Sequence, residues 1–477
     1  MRYAHEVGKV RAAEQALMAR LPEGTLMQRA AAGLAAVCAG LLPRVYGADV
    51  VLLVGGGDNG GDALYAGALL ARRGARVTGV AAGSKIHEAG LAALRGAGGR
   101  LAEDAGIEDA DLVVDGLTGI GGTGGLREPY AELARRASEA NGMVVACDVP
   151  SGVDASSGRV EGVAVRADVT VTFGTHKPGL LIDPGAAFCG VVELVDIGLD
   201  LPDPDVVAAW PVDIAPPEPG PESDKYRRGV VGILAGSDEF TGAAVLSVGG
   251  AVRGGAGMVR FASVPHAVEV VRHRWPEVVT AVIRPRDGVD QVGRVQAWVV
   301  GPGLGTGADG EALVEAALST DLPVLVDADG LTILARRRDL LRREAPTVLT
   351  PHAGELSRLL DVEREIIEAR RLEHVRRAAA ELSAIVLLKG STTLVAEEDR
   401  PVRVNPTGTP RLATAGTGDV LSGLIGALLA GGMQALDAAA AGAYLHGLAA
   451  RLSSDGAPIS AFDVVSALPD AFRSLAE

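Results

Sequence analysis

The 477-residue chain reads as an α/β protein in two domains. Three observations carry that reading. Short runs rich in β-branched residues alternate with helical stretches along both halves, the pattern of parallel sheets covered by helices. The turns after many of these runs are rich in glycine and oxygen-bearing side chains: Gly55-Gly56-Gly57-Asp58-Asn59-Gly60-Gly61-Asp62 in the first half, Ala415-Gly416-Thr417-Gly418-Asp419 in the second. Between the halves, residues 199–223 are Pro-rich and acidic and lack helical or strand periodicity, so they read as an extended, semi-rigid connector. Domain one is expected over residues 1–200, a linker over 201–223 and domain two over 224–477.

Each element follows from its pattern. Ala/Leu stripes over 10–41 predict helices. A buried strand is expected at 50–54, then the glycine turn and a helix through Arg73. Further strands are expected at 76–80, 112–115, 143–148 and 169–173. Ligands of such sheets bind beyond the carboxyl ends of the strands, and the loops after Val54, Asp115 and Asp148 all lie there. In the second half, strands are expected at 230–234, 258–261, 297–300, 324–326, 348–349 and 385–388, with helices between most of them. Both glycine turns are expected at helix starts, where free backbone N–H groups and the positive dipole end attract anions.

Composition narrows the function. Hydrophobic residues make up 48% and charged residues 22%, a globular balance. A formal net charge of −15 argues against nucleic acid and anionic membranes as partners. No apolar run reaches the roughly 18 residues of a membrane span; the stretch 420–432 is short and glycine-interrupted, which predicts a buried helix. The N-terminus lacks the basic-then-apolar pattern of a signal peptide. Cys38, Cys147 and Cys189 are scattered, so neither a zinc site nor a disulfide framework is expected, and a reducing cytoplasm is the expected compartment. Small-molecule partners and a homo-oligomer are expected.

The first glycine loop lacks the spacing of a dinucleotide-binding GxGxxG and the Lys-Ser/Thr of a phosphate-binding P-loop. Asn59 and Asp62 instead offer oxygens suited to a hard cation. Two more oxygen-bearing loops follow, Asp115 with Gly119 to Gly125, and Asp148-Val149-Pro150-Ser151-Gly152-Val153-Asp154. The GxGxNGGD-type loop, the D-x-L-x-G-x-G turn and DVPSGVD, in this order, resemble the NAD(P)H-hydrate epimerases over residues 1–200. The resemblance implies a Rossmann-like three-layer sandwich and a potassium ion held by Asn59, Asp115 and Ser151. It implies a hydrate site formed by Asp58, Asn59, Gly60, Gly61, Asp62, the loop Gly119, Ile120, Gly121, Gly122, Thr123, Gly124, Gly125, and Asp148. Asp148 is the candidate acid/base or orienting group for exchange of the R and S epimers of hydrated NADH or NADPH. Two positions depart from the family pattern: Asp58 stands where a second Asn is usual, and Ala63 where Gly is usual.

In the second half, Gly416-Thr417-Gly418-Asp419 opens an apolar helix. Its backbone can receive a phosphate, and Asp419 can accept a proton from a hydroxyl near a transferring phosphoryl group. Together with GPGLG at 301–305, TPHAGE at 350–355 and LKGSTT at 388–393, it resembles the ADP- or ATP-dependent NAD(P)H-hydrate dehydratases of the ribokinase-like superfamily, from Lys225 onward. The resemblance implies hydrate contacts at Ala243, Gly303, His352 and Asp419, and nucleotide contacts at Lys389, Gly390, Ser391, Thr392, Thr393 and Gly418. It also implies Mg2+ with ADP or ATP, ADP being the expected nucleotide. Asp419 would be the base. His446, in an Ala/Leu-rich helix, reads as a packed or capping histidine, and Arg336 to Arg338 with Arg342 and Arg343 as solvated faces. The two resemblances imply one bifunctional repair enzyme. The alternative is a ribokinase-like small-alcohol kinase fused to a non-catalytic binding module.

Overall fold

The computed structural model describes residues 1–209, 211–284 and 288–475, which divide into two compact units, Arg2–Val206 and one of Met1 with Val207–Glu477. After a short strand β1 (Arg2–Ala4), the N-terminal unit contains β2 (Asp49–Val54), β3 (Arg76–Ala81), β4 (Arg100–Leu101), β5 (Leu112–Gly116), β6 (Met143–Cys147), β7 (Val169–Phe173) and β8 (Val191–Val195). Strands β2 to β8 form one sheet in the order β4-β3-β2-β5-β6-β7-β8, parallel throughout. Alternation in β2 explains the layers. Val50, Leu52 and Val54 join an apolar cluster with Leu34, Leu64 and Leu94 of helices Thr25–Leu41, Asp58–Arg72 and Glu88–Gly96. Val51 and Leu53 join Leu133 and Ala134 of helix Tyr130–Ser138 on the other face. The unit is therefore a three-layer α/β/α sandwich.

The C-terminal unit contains β9 (Val206–Ala208), within which the division falls, then β10 (Val230–Leu234), β11 (Met258–Ser263), β12 (Val279–Val282), β13 (Ala297–Val300), β14 (Val324–Val326), β15 (Thr347–Leu349), β16 (Ile385–Leu388), β17 (Leu394–Ala396) and β18 (Val402–Val404). Their order is β9-β18-β17-β16-β15-β14-β13-β10-β11-β12. The stretch from β16 to β12 is parallel, while β16, β17 and β18 run as an antiparallel meander. Val231, Ile233 and Val299 share a cluster with helices Thr241–Arg253, Thr417–Ala430, Ala435–Ser454 and Ala461–Arg473, and the alternate residues Val230, Leu234 and Val300 are equally buried outside it, so both sheet faces are covered. Residues 420–430 lie in the buried helix Thr417–Ala430 that their composition predicts.

Both sheets reverse direction once: between β2 and β5, and between β10 and β13. Those are the topological switch points, where loops diverge and leave a crevice at the carboxyl ends of the strands. The principal strands lie where the sequence places them. One departure concerns the connector: Val206–Ala208 is a fully buried strand inside the segment read as aperiodic. Three residues are too few to show a period of two, and the flanking prolines mask them. The sequence reading also did not place β4, β8, β12, β17 and β18. Strand β6 stops at Cys147 rather than Asp148, because Asp148 adopts a left-handed φ of 66°.

Two candidate carboxylate sites

The first site assembles at the β2/β5 switch point. Gly57 caps helix Asp58–Arg72, so the Asp58 to Asp62 stretch forms its first turns. Gly60 packs against the Gly55 carbonyl and Gly61 against the His87 ring. Asp58 is exposed, Asn59 and Asp62 half-buried. From the end of β5, Asp115 is 0% exposed. Its Oδ2 accepts from the Ser151 N–H at 2.8 Å and its Oδ1 from the Ser151 hydroxyl at 2.6 Å and the Leu117 N–H at 3.2 Å. Burial pushes its carboxyl up to about 6, against the lowering effect of those bonds. Ser151 Oγ also accepts from the Thr118 N–H at 2.9 Å. Asn59 reaches this loop through Gly119, where a Cβ would stand 2.9 Å from Asn59 Oδ1, so a larger residue there would displace the Asn59 side chain. Asn59 Nδ2 is buried without a hydrogen-bond partner.

Of the predicted loop, Gly119 touches Asn59, Gly121 lies against Arg11, and Gly122 folds back on Thr118. Ile120 packs on the Val149–Leu180 cluster. Thr123, Gly124 and Gly125 are exposed, the last against the Glu161 carbonyl.

Asp148 turns its carboxylate back over β7. Its Oδ1 accepts from Lys177 Nζ at 2.5 Å, Thr172 Oγ1 at 3.1 Å and the Phe173 N–H at 3.3 Å. Lys177, only 1% exposed, also donates to Thr172 Oγ1 and the Phe173 carbonyl. Sequence reasoning missed Lys177, although it follows a strand at the same sheet edge as the three loops. It also missed Glu14 of helix Val7–Met18, whose carboxyl is raised by burial and by Asp148.

The second site forms at the β10/β13 switch point. Gly416, with φ 87°, caps helix Thr417–Ala430, which places Asp419 in its first turn. Burial, then Asp327, pushes the Asp419 carboxyl up to about 7, with Lys389 pulling the other way. Asp327, at the end of β14 and 1% exposed, accepts from Lys389 Nζ at 2.8 Å and Ser422 Oγ at 2.7 Å. Lys389 Nζ lies 3.6 Å from Glu355 Oε2. Burial alone would lower the lysine; Asp327 and Glu355 outweigh it and hold it above its ordinary range. Gly418 comes against this ammonium, where a Cβ would stand 3.3 Å from Nζ.

His352 is the N-cap of helix Ala353–Leu360. Its Nδ1 accepts from the Glu355 N–H at 3.1 Å and its own N–H donates to Glu355 Oε2 at 2.8 Å, a reciprocal capping box. The ring is exposed, and burial of its inner edge lowers its pKa. Gly303, at φ 65°, brings its backbone against Ala243, whose Cβ would lie 2.9 Å from an added Cβ. The loop Lys389–Thr393 is propped from below by Arg371, which donates to the carbonyls of Leu388, Lys389 and Thr392. Thr393 Oγ1 donates to the Gly390 carbonyl at 3.1 Å, and Gly390 and Ser391 are exposed. His446 is buried, its Nε2 2.9 Å from the Thr417 carbonyl, and burial lowers it to about 4; the neutral ring anchors the turn. Arg336, Arg338 and Arg342 are exposed, but Arg343 is half-buried and donates to the Leu322 carbonyl, which holds the β13–β14 side of the unit. Asp327, Glu355, Ser422 and Arg371 were not among the predicted site residues; their short motifs carry no spacing that separates a ligand from a cap.

Among the described residues, no group of three His, Cys, Asp or Glu forms a metal cage, and no helix is long and apolar enough to cross a membrane. The three cysteines are free and buried.

A family model described as NAD(P)H-hydrate dehydratase matches residues 231–467, and one described as YjeF-related protein N-terminus matches residues 23–179. The chain is 47% identical to the bifunctional NAD(P)H-hydrate repair enzyme Nnr of Mycobacterium leprae over all of both chains. It is 50% identical to that of Mycobacterium tuberculosis over 92% of each. The ADP/ATP-dependent NAD(P)H-hydrate dehydratase of Bacillus subtilis, co-crystallised with ATP and Mg2+, superposes with a TM-score of 0.51 at 31% identity, covering 56% of this chain and 96% of that one. A ribokinase-like superfamily protein from Enterococcus faecalis, 22% identical with a TM-score of 0.51 over 58% of this chain and 98% of its own, has the same fold. Both halves are matched in order and the full-length likeness is high: the chain belongs to the family of bifunctional NAD(P)H-hydrate repair enzymes.

Proposed function

We propose that the N-terminal unit exchanges the R and S epimers of hydrated NADH and NADPH, and that the C-terminal unit returns the S epimer to NAD(P)H at the expense of ADP. The observation that carries the second half is Asp419: a carboxyl near pKa 7 in the first turn of a helix, beside Asp327-bound Lys389. A base poised near neutral pH suits deprotonation of the hydrate hydroxyl. That oxygen attacks the terminal phosphoryl group of the nucleotide, AMP leaves, and loss of phosphate with a proton from the neighbouring ring carbon restores the double bond. Lys389 and the backbone N–H groups at Gly418 offset the charge on the transferring group. His352, Ala243 and Gly303 line the hydrate side; Gly390 to Thr393 present open backbone to the nucleotide. The relatives' name favours this reading over a small-alcohol kinase fused to a binding module.

The donor sets fit different cations. Asp115 and Ser151 are bonded to each other, and the Asn59 Oδ1 lies against Gly119 of the loop that follows Asp115, so one carboxylate and two neutral oxygens come from neighbouring loops. This supports a monovalent, weakly hydrated cation such as K+, which would neutralise Asp115 and draw the Asn59 and Ser151 loops together. In the second site Asp327 is already engaged by Lys389 and Ser422, which favours Mg2+ arriving on the nucleotide phosphates rather than in a protein cage. Self-association and a cytoplasmic setting belong to the same proposal, supported by the exposed Val191 and Leu194 of edge strand β8 and by the free cysteines.

The test is repair of a mixed R/S NADH hydrate with ADP, Mg2+ and K+, followed by reduced-nicotinamide absorbance. Rapid recovery of nearly all the hydrate is expected. Recovery of the S fraction alone would remove the epimerase half. A stable phosphorylated alcohol without nicotinamide product would restore the kinase alternative. Sedimentation velocity tests the oligomer.

A further inference from the structure

The N-terminal site holds more carboxyl groups than cation binding and a single acid/base use. Asp58 and Asp62 come from the first turns of helix Asp58–Arg72, Glu14 from helix Val7–Met18, and Asp148 from the turn after β6. The cations that face them are Arg11, on the same helix as Glu14, and Lys177 after β7. Lys177 is committed: it binds Asp148, Thr172 and the Phe173 carbonyl. Asp62 Oδ1 is buried with no hydrogen-bond partner. Burial, then the charges of Asp148, Asp58 and Glu14, holds its carboxyl well above the ordinary range. A buried, unpaired carboxylate is costly, whereas a neutral carboxylic acid is a donor that lacks only an acceptor.

We propose that Asp62 is the second catalytic carboxyl of the N-terminal site, the acid that protonates the hydrate hydroxyl, working with the Lys177-held carboxylate of Asp148. The inference rests on the epimerase reading above. Water adds to an enamine at the carbon next to nitrogen, so the hydrate carries its hydroxyl on a ring carbon bonded to the ring nitrogen. Asp62 gives its proton to that hydroxyl. The C–O bond breaks, water leaves, and the nitrogen lone pair closes a C=N bond, which makes the carbon planar and erases its configuration. Water then adds to the opposite face; the C=N pair returns to nitrogen, and the surplus proton passes to Asp148. Exchange with solvent resets the two carboxyls, and the reverse direction uses them with roles exchanged. A two-sided exchange needs one group that gives a proton and another that takes one.

The test uses the full chain without nucleotide, with epimer exchange followed by NMR. Asp62→Asn keeps size and a donor but has no proton to give. Exchange is expected to fall about 100-fold, with the half-saturating hydrate concentration little changed and ADP-dependent turnover of pure S hydrate intact. Exchange within about threefold of the parent would overturn the proposal. Because the fold already disfavours an ionised Asp62, the neutral isostere should not lower the melting temperature. A second variant, Asp62→Ala, is expected to regain exchange in proportion to added formate, and absence of rescue would equally overturn it. A parent chain that exchanges no epimers would instead overturn the epimerase reading itself.

Discussion

The two units solve one topological problem twice and differ in where they put a lysine. Each places a glycine-capped helix at a sheet switch point and brings an aspartate over it from a neighbouring strand or from the helix itself. In the N-terminal unit, Lys177 is spent on Asp148, inside a closed set of bonds with Thr172 and Phe173. In the C-terminal unit, Lys389 is held by Asp327 and Glu355, and Asp419 is left without a direct cation, near pKa 7. The lesson is that burial alone does not assign a carboxylate its role. Lys177 is bonded directly to Asp148, whereas Lys389 is bonded to the neighbours of Asp419 and leaves that carboxyl a titratable base.

The largest effect that would sharpen this contrast is Asp419→Asn. Turnover of S hydrate with ADP should fall about 1,000-fold, while epimer exchange by the other unit continues, both read in one assay. Loss of both together would break the separation of the two sites. Next comes Lys177→Met, which strands a buried Asp148. Epimer exchange should collapse, and the N-terminal unit should lose about 3 kcal/mol in denaturant unfolding. An unchanged midpoint would mean that Asp148 escapes to solvent.

Smaller shifts concern the pH profile. Turnover of S hydrate should rise with pH through about 7 as Asp419 ionises. Asp327→Asn removes a neighbouring negative charge, so the acid limb should move to lower pH; Lys389→Gln removes a positive one, so the limb should move up. Movement of both in the same direction would contradict the charge arrangement. The last effect is on stability. Asp419 is raised in the fold, so its contribution is fully present below the unfolded carboxyl pKa and is lost as pH rises through about 7. Asp419→Asn should therefore melt like the parent at pH 4 and be more stable at pH 8, by at most about 4 kcal/mol.

Much of both sites was legible because strand–loop–helix order forces it. Val50 to Val54 is apolar without interruption, so it must be a buried strand, and Gly55 to Asp62 must then lie at its carboxyl end. The same logic placed Asp115, Asp148 and His352 at strand ends, and the glycine turn placed Asp419 at a helix start. What escaped were residues whose partner is far along the chain. Lys177 reads as an ordinary surface lysine until β7 is paired beside β6. The oxygen-bearing loop of Asp327 is legible at a strand end, but the bond it accepts from Ser422, in a helix almost a hundred residues later, is not. Arg371 reads as one more arginine in a charged helix until the loop at Lys389 folds over it.

The sequence by itself determined the α/β class, the two halves, the glycine turns and the identity of the oxygen-bearing loops, because these follow from local periodicity and backbone sterics. Only the tertiary structure decided which charges neutralise which. It closed Lys177 onto Asp148, turned Lys389 toward Asp327 and Glu355, and buried an unpartnered oxygen of Asp62. Electrostatic energy depends on distance and burial, and neither is a property of any segment alone.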